Sequence, residues 1–214
     1  MDLLNLLHKG GLLIWPIIAG SIIGMTIYFE RLLLYRKVYD RLYSTVAIQQ
    51  TIHSISQGDL STAKSQLEDS IEASSAEANI LNEIIEWEFS DQETLELAVI
   101  HIVERETNNL AGTLPTLAVI ASAEPLLGLL GTVIGMIKAF MVVEQLGGSV
   151  NAAVLAGGIW EAMITTAFGL LAAIPLLFFY NHLEGKLNRI QVRLEDIAIQ
   201  AIKAWTKAQM KSPR

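Results

Sequence analysis

The stretch AMITTAFGLLAAIPLLFFYNHL, residues 162–183, decides the fold of this chain because it contains no Asp, Glu, Lys or Arg. A helix of about 20 apolar residues crosses the roughly 30 Å hydrocarbon core of a bilayer. Two similar stretches precede it. Residues 10–29 carry no charge, and residues 117–140 are interrupted only by Glu124 and Lys138. We therefore predict an all-α membrane protein with three transmembrane helices.

The composition of the whole chain agrees with this prediction. Hydrophobic residues make up 52% of the 214 residues, charged residues make up 17%, and the mean hydropathy is +0.43. This balance is unusual for a soluble domain. The absence of cysteine excludes disulfides, thiolate metal sites and cysteine nucleophiles. The net charge of −7 argues against nucleic acid as a partner.

The positions of Lys and Arg predict the orientation, because these residues resist translocation. They are concentrated between the first two spans and after the third span: Arg31, Arg36, Lys37, Arg41, Lys64, Arg105, Lys186, Arg189, Arg193, Lys203, Lys207, Lys211 and Arg214. Both of those segments are therefore expected in the cytoplasm. The predicted order is an external N-terminus and first span (1–30), a cytoplasmic helical region (31–112), a second span (113–141), a short external loop (142–153), a third span (154–183) and a cytoplasmic helical tail (184–214).

The polar region and the tail both have helical patterns. Gly58 and Asp59 interrupt the polar region, and Asp91 is a suitable N-cap for a helix that leads into the second span. Apolar residues recur on one face of that helix, at Leu95, Val99, Ile102, Val103 and Leu110. They also recur in the tail, at Leu187, Ile190, Leu194, Ile197 and Ala201. These faces predict a helical bundle, with contact to lipid headgroups as the alternative for the tail.

Small residues form a stripe on each of the two later spans. The second span contributes Gly128, Gly131 and Gly135, and the third contributes Gly158, Ala162, Thr165, Gly169 and Ala173. Helices in a membrane associate by close packing of small residues and by a few polar contacts. The stripes therefore predict helix packing.

Packing does not explain the polar groups in these spans. Thr132, Thr165 and Thr166 lie well inside them, although a buried threonine often bonds only its own helix. Glu161 and Glu124 are ionisable, and an unpaired ionisable group in a span costs several kcal/mol. Each carboxyl either faces water or protein inside the membrane or reaches the nearer interface.

Other chemistry has little support in the sequence. Lys138 is expected to extend towards the outer interface. The glycine-rich second span lacks the Gly-Lys-Ser/Thr ending of a phosphate loop. The four histidines match no metal-ligand spacing, and no carboxylate pair is placed for catalysis. We therefore expect no cofactor, no metal and no enzymatic activity.

Two long motifs carry a resemblance to a known family. EPLLGLLGTVIGMIKAF (124–140) resembles the second-span signature of the MotA/TolQ/ExbB proton-channel family. GIWEAMITTAFGLLAAIP (158–175), followed by Tyr180 and Asn181, resembles its third-span signature. Three spans rather than four favour the ExbB/TolQ branch over the flagellar stator subunit.

The resemblance implies a homopentamer in the inner membrane whose second and third helices line a central pore. It also implies a smaller ExbD- or TolR-like partner, whose membrane helix carries an Asp, and a TonB- or TolA-like protein that transmits the work to the outer membrane. Proton flow through the Asp would drive the partner helices. The external loop would then lie in the periplasm.

The resemblance also assigns site residues. Thr132 matches the family's threonine in Gly-Thr-Val, Thr166 matches the one before Ala-Phe-Gly, and Glu161 matches the glutamate after Gly-Ile-x. With Thr165 and Glu124 they form the predicted proton pathway. Glu124 departs from the family, which usually has a small or neutral residue before the proline. We expect Glu124 to aid proton release to the cytoplasm.

A second departure is Gly157, where a proline commonly precedes Gly-Ile. A passive membrane scaffold remains the alternative from a different class, because small-residue faces could assemble a complex through which no proton moves. A solute transporter is less favoured, since three spans without inverted repeats do not fit that architecture.

Overall fold

The computed structural model describes residues 11–43, 46–70, 75–87, 91–145 and 152–211. These residues form seven α-helices and no strand, which confirms the predicted all-α class. The helices are α1 (Ile14–Tyr43), α2 (Val46–Gln57), α3 (Leu60–Ser70), α4 (Ala76–Ile85), α5 (Gln92–Ala111), α6 (Leu114–Gln145) and α7 (Ala152–Lys211). The predicted external N-terminus before residue 11 and residues 146–151 of the predicted loop lie outside the described residues.

Three of these helices are long and apolar enough to cross a membrane, as predicted. The candidate spans are Ile14–Asp40 in α1, Leu114–Gln145 in α6 and Leu155–Met210 in α7. The most apolar stretches within them have mean hydropathies of 1.6, 2.2 and 2.1. α7 has 60 residues, whereas a bilayer crossing needs only about 20. Its sequence is apolar in the first half and amphipathic in the second.

The chain divides into two compact units. The span unit comprises the chain up to Leu32 together with Thr113–Glu184, and the polar unit comprises Leu33–Gly112 together with the chain from Gly185 onward. Each unit therefore combines segments that are distant in the sequence. The candidate site lies in the span unit.

The core of the span unit depends on close approach between α1 and the two later spans. A Cβ added to Gly24 of α1 would lie 2.8 Å from Leu176 Cδ2 and 3.3 Å from Leu117 Cδ1. Both leucines are buried. Further along α1, the ring of Tyr28 stacks on that of Phe179 with 4.1 Å between centroids. These contacts hold α1 against both α6 and α7.

The outer surface of the span unit is apolar. In the most apolar stretches of α1, α6 and α7, only 22%, 22% and 28% of the residues are buried within the protomer. Several large apolar side chains are more than 60% exposed, among them Ile22, Val119, Leu126, Leu171 and Phe178. Such a surface suits lipid or other membrane helices.

Helix ends in the polar unit follow the predicted signals. Gly58 has φ +80°, a left-handed conformation that glycine adopts without a side-chain clash, and it follows α2 directly. Asp59 then caps α3, because its carboxylate accepts a hydrogen bond from Thr62 N at 3.0 Å. Asp91 caps α5 by accepting bonds from the backbone N–H groups of Glu93 and Thr94, which confirms the predicted N-cap.

The two predicted apolar faces lie in the core of the polar unit. On α5 the buried apolar residues are Leu95, Val99, Ile102 and Val103, and Leu110 is half-buried. On α7 all five predicted residues are buried: Leu187, Ile190, Leu194, Ile197 and Ala201. The tail therefore packs within its own unit, as the bundle prediction required.

Candidate functional site

The small residues of α6 and α7 form a seam along which the two helices pack closely. A Cβ added to Gly135 would lie 2.9 Å from Ala162 Cβ, and one added to Gly128 would lie 3.1 Å from the Cα of Thr166. A Cβ on Gly131 would overlap the methyl group of Thr165. Further contacts of this kind involve Gly158 with Ala139 and Gly169 with Gly128, and Ala173 is buried in the same unit. The seam leaves no room for larger side chains.

Thr132 and Thr166 lie at the same level of this helix pair. The Thr166 hydroxyl donates a hydrogen bond to the Gly128 carbonyl oxygen at 2.9 Å. In an α-helix that carbonyl also accepts from the N–H four residues later, which belongs to Thr132. The Thr132 hydroxyl itself donates to the Leu129 carbonyl oxygen at 2.6 Å. Both threonines are only half-buried, so each keeps surface on the outside of the protomer.

Thr165 differs from its neighbour Thr166. Thr165 is 1% exposed, and its hydroxyl donates to the backbone oxygen of Glu161 at 2.9 Å. Its methyl group fills the space above Gly131. In the protomer Thr165 is therefore a packing residue, whereas Thr166 has exposed surface.

An open apolar groove of about 550 Å³ begins at Thr132. It is lined along α6 by Val133, Met136, Ile137, Phe140, Met141 and Glu144. Four of these apolar side chains are at least 50% exposed: Val133, Ile137, Phe140 and Met141. The groove offers a surface to another apolar helix beside the Thr132 hydroxyl.

Glu161 lies one helical turn before Thr165, close to two other helices. Its Oε1 is 3.1 Å from the ammonium nitrogen of Lys138 on α6. It also lies against the turn that precedes α1, because a Cβ added to Gly11 would be 2.5 Å from Glu161 Oε1. Lys138, which the sequence predicts to extend towards the outer interface, is 55% exposed and pairs with Glu161.

Glu124 lies between α1 and α6. It is 1% exposed, and its Oε1 accepts a hydrogen bond from the Ser21 hydroxyl at 3.0 Å. Its Oε2 has no hydrogen-bond partner among the residues that the structure describes. The backbone oxygen of Glu124 would be 2.7 Å from a Cβ on Gly169, so α7 approaches the same turn. The carboxyl thus faces α1, where it contacts Ser21 and lies beside Gly20.

The exposed threonine pair can interact with both forms of a carboxyl group. Each hydroxyl has one proton to donate and two lone pairs that accept. Thr132 and Thr166 donate their protons to backbone oxygens, so their hydroxyl oxygens can accept from a protonated acid. Rotation of either hydroxyl away from its carbonyl would let it donate to an ionised carboxylate instead. Such a pair can hold a carboxyl through gain and loss of a proton.

Sequence reasoning missed two neighbours of the predicted site residues. Ser21 was not selected as the partner of Glu124, and Gly11 was not selected as a neighbour of Glu161. Neither has a local sequence signal, because each contact joins residues far apart in the chain. Among the described residues, no three His, Cys, Asp or Glu side chains are grouped so that they could hold a metal ion.

A helical protein with three candidate membrane spans, and with hydroxyl and carboxyl groups along the later two, belongs to the class of polytopic membrane proteins. Residues 47–196 match the MotA/TolQ/ExbB proton channel family. That match covers more than half of the chain, which therefore belongs to this family.

Curated relatives carry the names of two branches of the family. An ExbB homolog from Methanothermobacter thermautotrophicus is 28% identical over 86% of this chain and 64% of its own length. The Tol-Pal system protein TolQ of Haemophilus influenzae is 44% identical over 42% of this chain and 39% of its own. The biopolymer transport protein ExbB of Salmonella typhimurium is 40% identical over 40% of this chain and 35% of its own. The alignments thus cover less than two thirds of the length of these relatives.

Proposed function

We propose that this chain is the proton-channel subunit of an ExbB/TolQ-like motor in the inner membrane. The motor couples the proton motive force to outer-membrane transport or envelope maintenance. The observation that carries the proposal is the pair of half-buried hydroxyls at Thr132 and Thr166 on one level of the α6–α7 pair. A carboxyl that docks there can be held in both protonation states.

The proposed partner is an ExbD- or TolR-like subunit whose single membrane helix carries an Asp. The apolar groove beside Thr132 supports this part of the proposal, because an apolar helix could lie against it with its carboxyl near the threonine. A TonB- or TolA-like protein would transmit the resulting movement. In this assembly, α6 and α7 of five protomers surround the partner helices.

The proposed orientation places the N-terminus in the periplasm and the C-terminus in the cytoplasm. The basic residues of the polar unit support it, since Lys and Arg are retained on the cytoplasmic side. Glu161 then lies towards the periplasmic end of the pathway. A carboxylate at that level would attract protons towards the threonine pair.

The proposal is tested by removing the two hydroxyls without changing side-chain volume. Thr132→Val and Thr166→Val should each reduce proton uptake about tenfold to a hundredfold in proteoliposomes that contain the partner subunit. The reason is that a hydrogen bond to a charged group contributes about 1.5–3 kcal/mol. Thr26→Val is the matched control, because Thr26 lies in α1 and its hydroxyl bonds the backbone of its own helix at 2.8 Å.

The same variants separate the motor from a passive scaffold. Under the proposal, the complex of Thr132→Val or Thr166→Val keeps its size and its partner while proton uptake falls. Loss of assembly in both variants, measured by native mass spectrometry, would favour the scaffold. Unchanged proton uptake with intact assembly would contradict the proposed pathway.

In the proposed orientation, Glu124 lies on the cytoplasmic side of the threonine pair. It precedes Thr132 by eight residues of α6, which corresponds to about 12 Å of helix. Its burial against α1 means that protons would reach it from the α1–α6 interface. We propose that it aids proton release to the cytoplasm.

A further inference from the structure

The Ser21 hydroxyl of α1 lies within hydrogen-bond distance of two acceptors. One is the carbonyl oxygen of Ile17 in the same helix, at 2.9 Å, and the other is Oε1 of Glu124 on α6, at 3.0 Å. A hydroxyl carries one proton to donate and two lone pairs that accept. Ser21 therefore makes one full donor bond at a time, and the choice of acceptor depends on whether Glu124 is ionised.

Ser21 is the group that hydrogen-bonds to this carboxyl. Glu124 is 1% exposed, and its Oε2 has no hydrogen-bond partner among the described residues. Beside Ser21, α1 brings the backbone of Gly20 close, because a Cβ added there would be 3.0 Å from Oε1. From α7, Gly169 meets the backbone oxygen of Glu124. In the part of the chain that the structure describes, no ion pair involves Glu124, so its carboxyl depends on Ser21 in either protonation state.

The two acceptors of Ser21 match the two forms of a carboxyl group. When Glu124 is ionised, the hydroxyl donates to Oε1. When a proton is on Oε1, the acid donates to Ser21 Oγ, and the hydroxyl turns to donate to the Ile17 carbonyl oxygen. A proton on Oε2 would instead be a buried donor without an acceptor among the described residues, which is unfavourable. One rotation of the hydroxyl thus accommodates the gain or loss of a proton while both helices stay in place.

We propose that Ser21 is a positioning residue that stabilises Glu124 in both its ionised and its protonated form. This inference rests on the proposed function, since it concerns the carboxyl proposed to release protons to the cytoplasm. A serine in a helix often bonds only the carbonyl four residues before it, as Ser122 does with Ala118 at 2.8 Å. Ser21 differs because the same hydroxyl also reaches a buried carboxyl on another helix.

A double-mutant cycle on proton uptake separates positioning from a purely structural contact. In proteoliposomes of the complete complex, Ser21→Ala should lower uptake about tenfold, because a hydrogen bond to a charged group is lost. Ser21→Thr keeps a hydroxyl and should retain most of the uptake. In Glu124→Gln, whose side chain no longer exchanges a proton, adding Ser21→Ala should have no further effect on uptake. Ser122→Ala is the matched control and should leave uptake unchanged.

Infrared spectroscopy of the purified protein tests the same hydrogen bond without proton flux. The carbonyl-stretch band of protonated Glu124, which grows as the pH is lowered, is identified by its absence from Glu124→Gln. This band should move to higher wavenumber in Ser21→Ala, because the acid loses its hydrogen-bond acceptor. It should keep its position in Ser21→Thr and Ser122→Ala.

The outcomes distinguish this inference from the proposed function. If Ser21→Ala leaves uptake unchanged, or lowers it equally in the wild type and in Glu124→Gln, the positioning role is wrong and the proton pathway stands. An infrared band that does not move in Ser21→Ala would equally contradict the positioning role. If the wild-type complex takes up no protons, the proposed function is wrong, and the infrared band alone decides whether Ser21 holds the protonated acid.

Discussion

The two ends of the α6–α7 pair each hold a carboxyl, and the two carboxyls have opposite surroundings. Glu161 has a side chain that is 30% exposed and an ammonium group at 3.1 Å. Glu124 is 1% exposed and accepts a hydrogen bond from the Ser21 hydroxyl. The ion-paired carboxyl is partly exposed on the protomer surface, whereas the buried one links two helices. The same residue type thus supports two different roles, and the packed neighbours decide between them.

Glu161→Gln should give the largest effect, because it removes the ionisable group at the open end of the pair. We expect transduction to fall to the level of cells that lack the protein, with assembly retained. Outer-membrane uptake or envelope integrity measured in a deletion strain checks this result. Glu30→Gln is the control, since Glu30 is a 56% exposed carboxyl that pairs with a neighbouring arginine. Normal transduction by Glu161→Gln would show that Glu161 is not part of the proton pathway.

The seam between the two ends should be the next most sensitive region. In Gly131→Ala the new methyl group overlaps Thr165, and overpacking of this kind costs about 1–3 kcal/mol. Gly157→Ala is the matched control, because a Cβ there meets nothing within 4 Å. It should instead gain about 0.5–1 kcal/mol of helix stability. Thermal unfolding of the purified variants shows whether the two substitutions change stability in opposite directions. Equal changes would contradict close packing along the seam.

Glu124→Gln should have an intermediate effect. The amide oxygen can still accept the Ser21 hydrogen bond, but the side chain no longer gains or loses a proton. We expect reduced proton uptake with an altered pH dependence and unchanged thermal stability. Ser21→Ala should instead lower the thermal stability, because it removes a hydrogen bond between α1 and α6. Unchanged uptake and pH dependence in Glu124→Gln would leave Glu124 with a structural role alone.

A third carboxyl, that of Asp91, lies in the polar unit and can be compared with those of Glu161 and Glu124. Its substitution should give the smallest effect of the three. Its hydrogen bond from the Thr94 hydroxyl holds the pKa of Asp91 below its usual range. The cap therefore stabilises α5 above the pKa of an unfolded aspartate, and this contribution is lost as the pH falls through the lower folded pKa.

Asp91→Asn keeps a good N-cap that does not titrate in this range. At acidic pH, amide hydrogen exchange in the first turn of α5 should therefore increase in the wild type relative to Asp91→Asn. The same pH dependence in both proteins would contradict the capping role of the carboxylate.

The spans and the polar bundle were predictable because their signals are local. Runs without charge define the three membrane helices, and Asp91 precedes the apolar face that it caps. Contacts between helices were harder to predict, since they depend on how one helix is aligned with another. For that reason the sequence does not indicate the ion pair between Lys138 and Glu161.

The stripes of small residues contain the signal that could have predicted this contact. In the structure Gly128 meets Gly169, Gly131 meets Thr165 and Gly135 meets Ala162, so the two helices run in opposite directions. This alignment places Lys138, one turn beyond the last of these pairs on α6, close to Glu161. The stripes therefore determine which polar groups become neighbours.

Cysteine cross-linking tests most directly whether the threonine surface faces an acidic partner helix. The chain has no native cysteine, so single substitutions give clean probes. Thr132→Cys should form a disulfide with a cysteine placed beside the membrane Asp of the proposed ExbD- or TolR-like partner. Leu130→Cys should not, because this 45% exposed residue lies about 200° around α6 from Thr132. Equal cross-linking of both positions, or cross-linking of Leu130→Cys alone, would contradict the proposed surface.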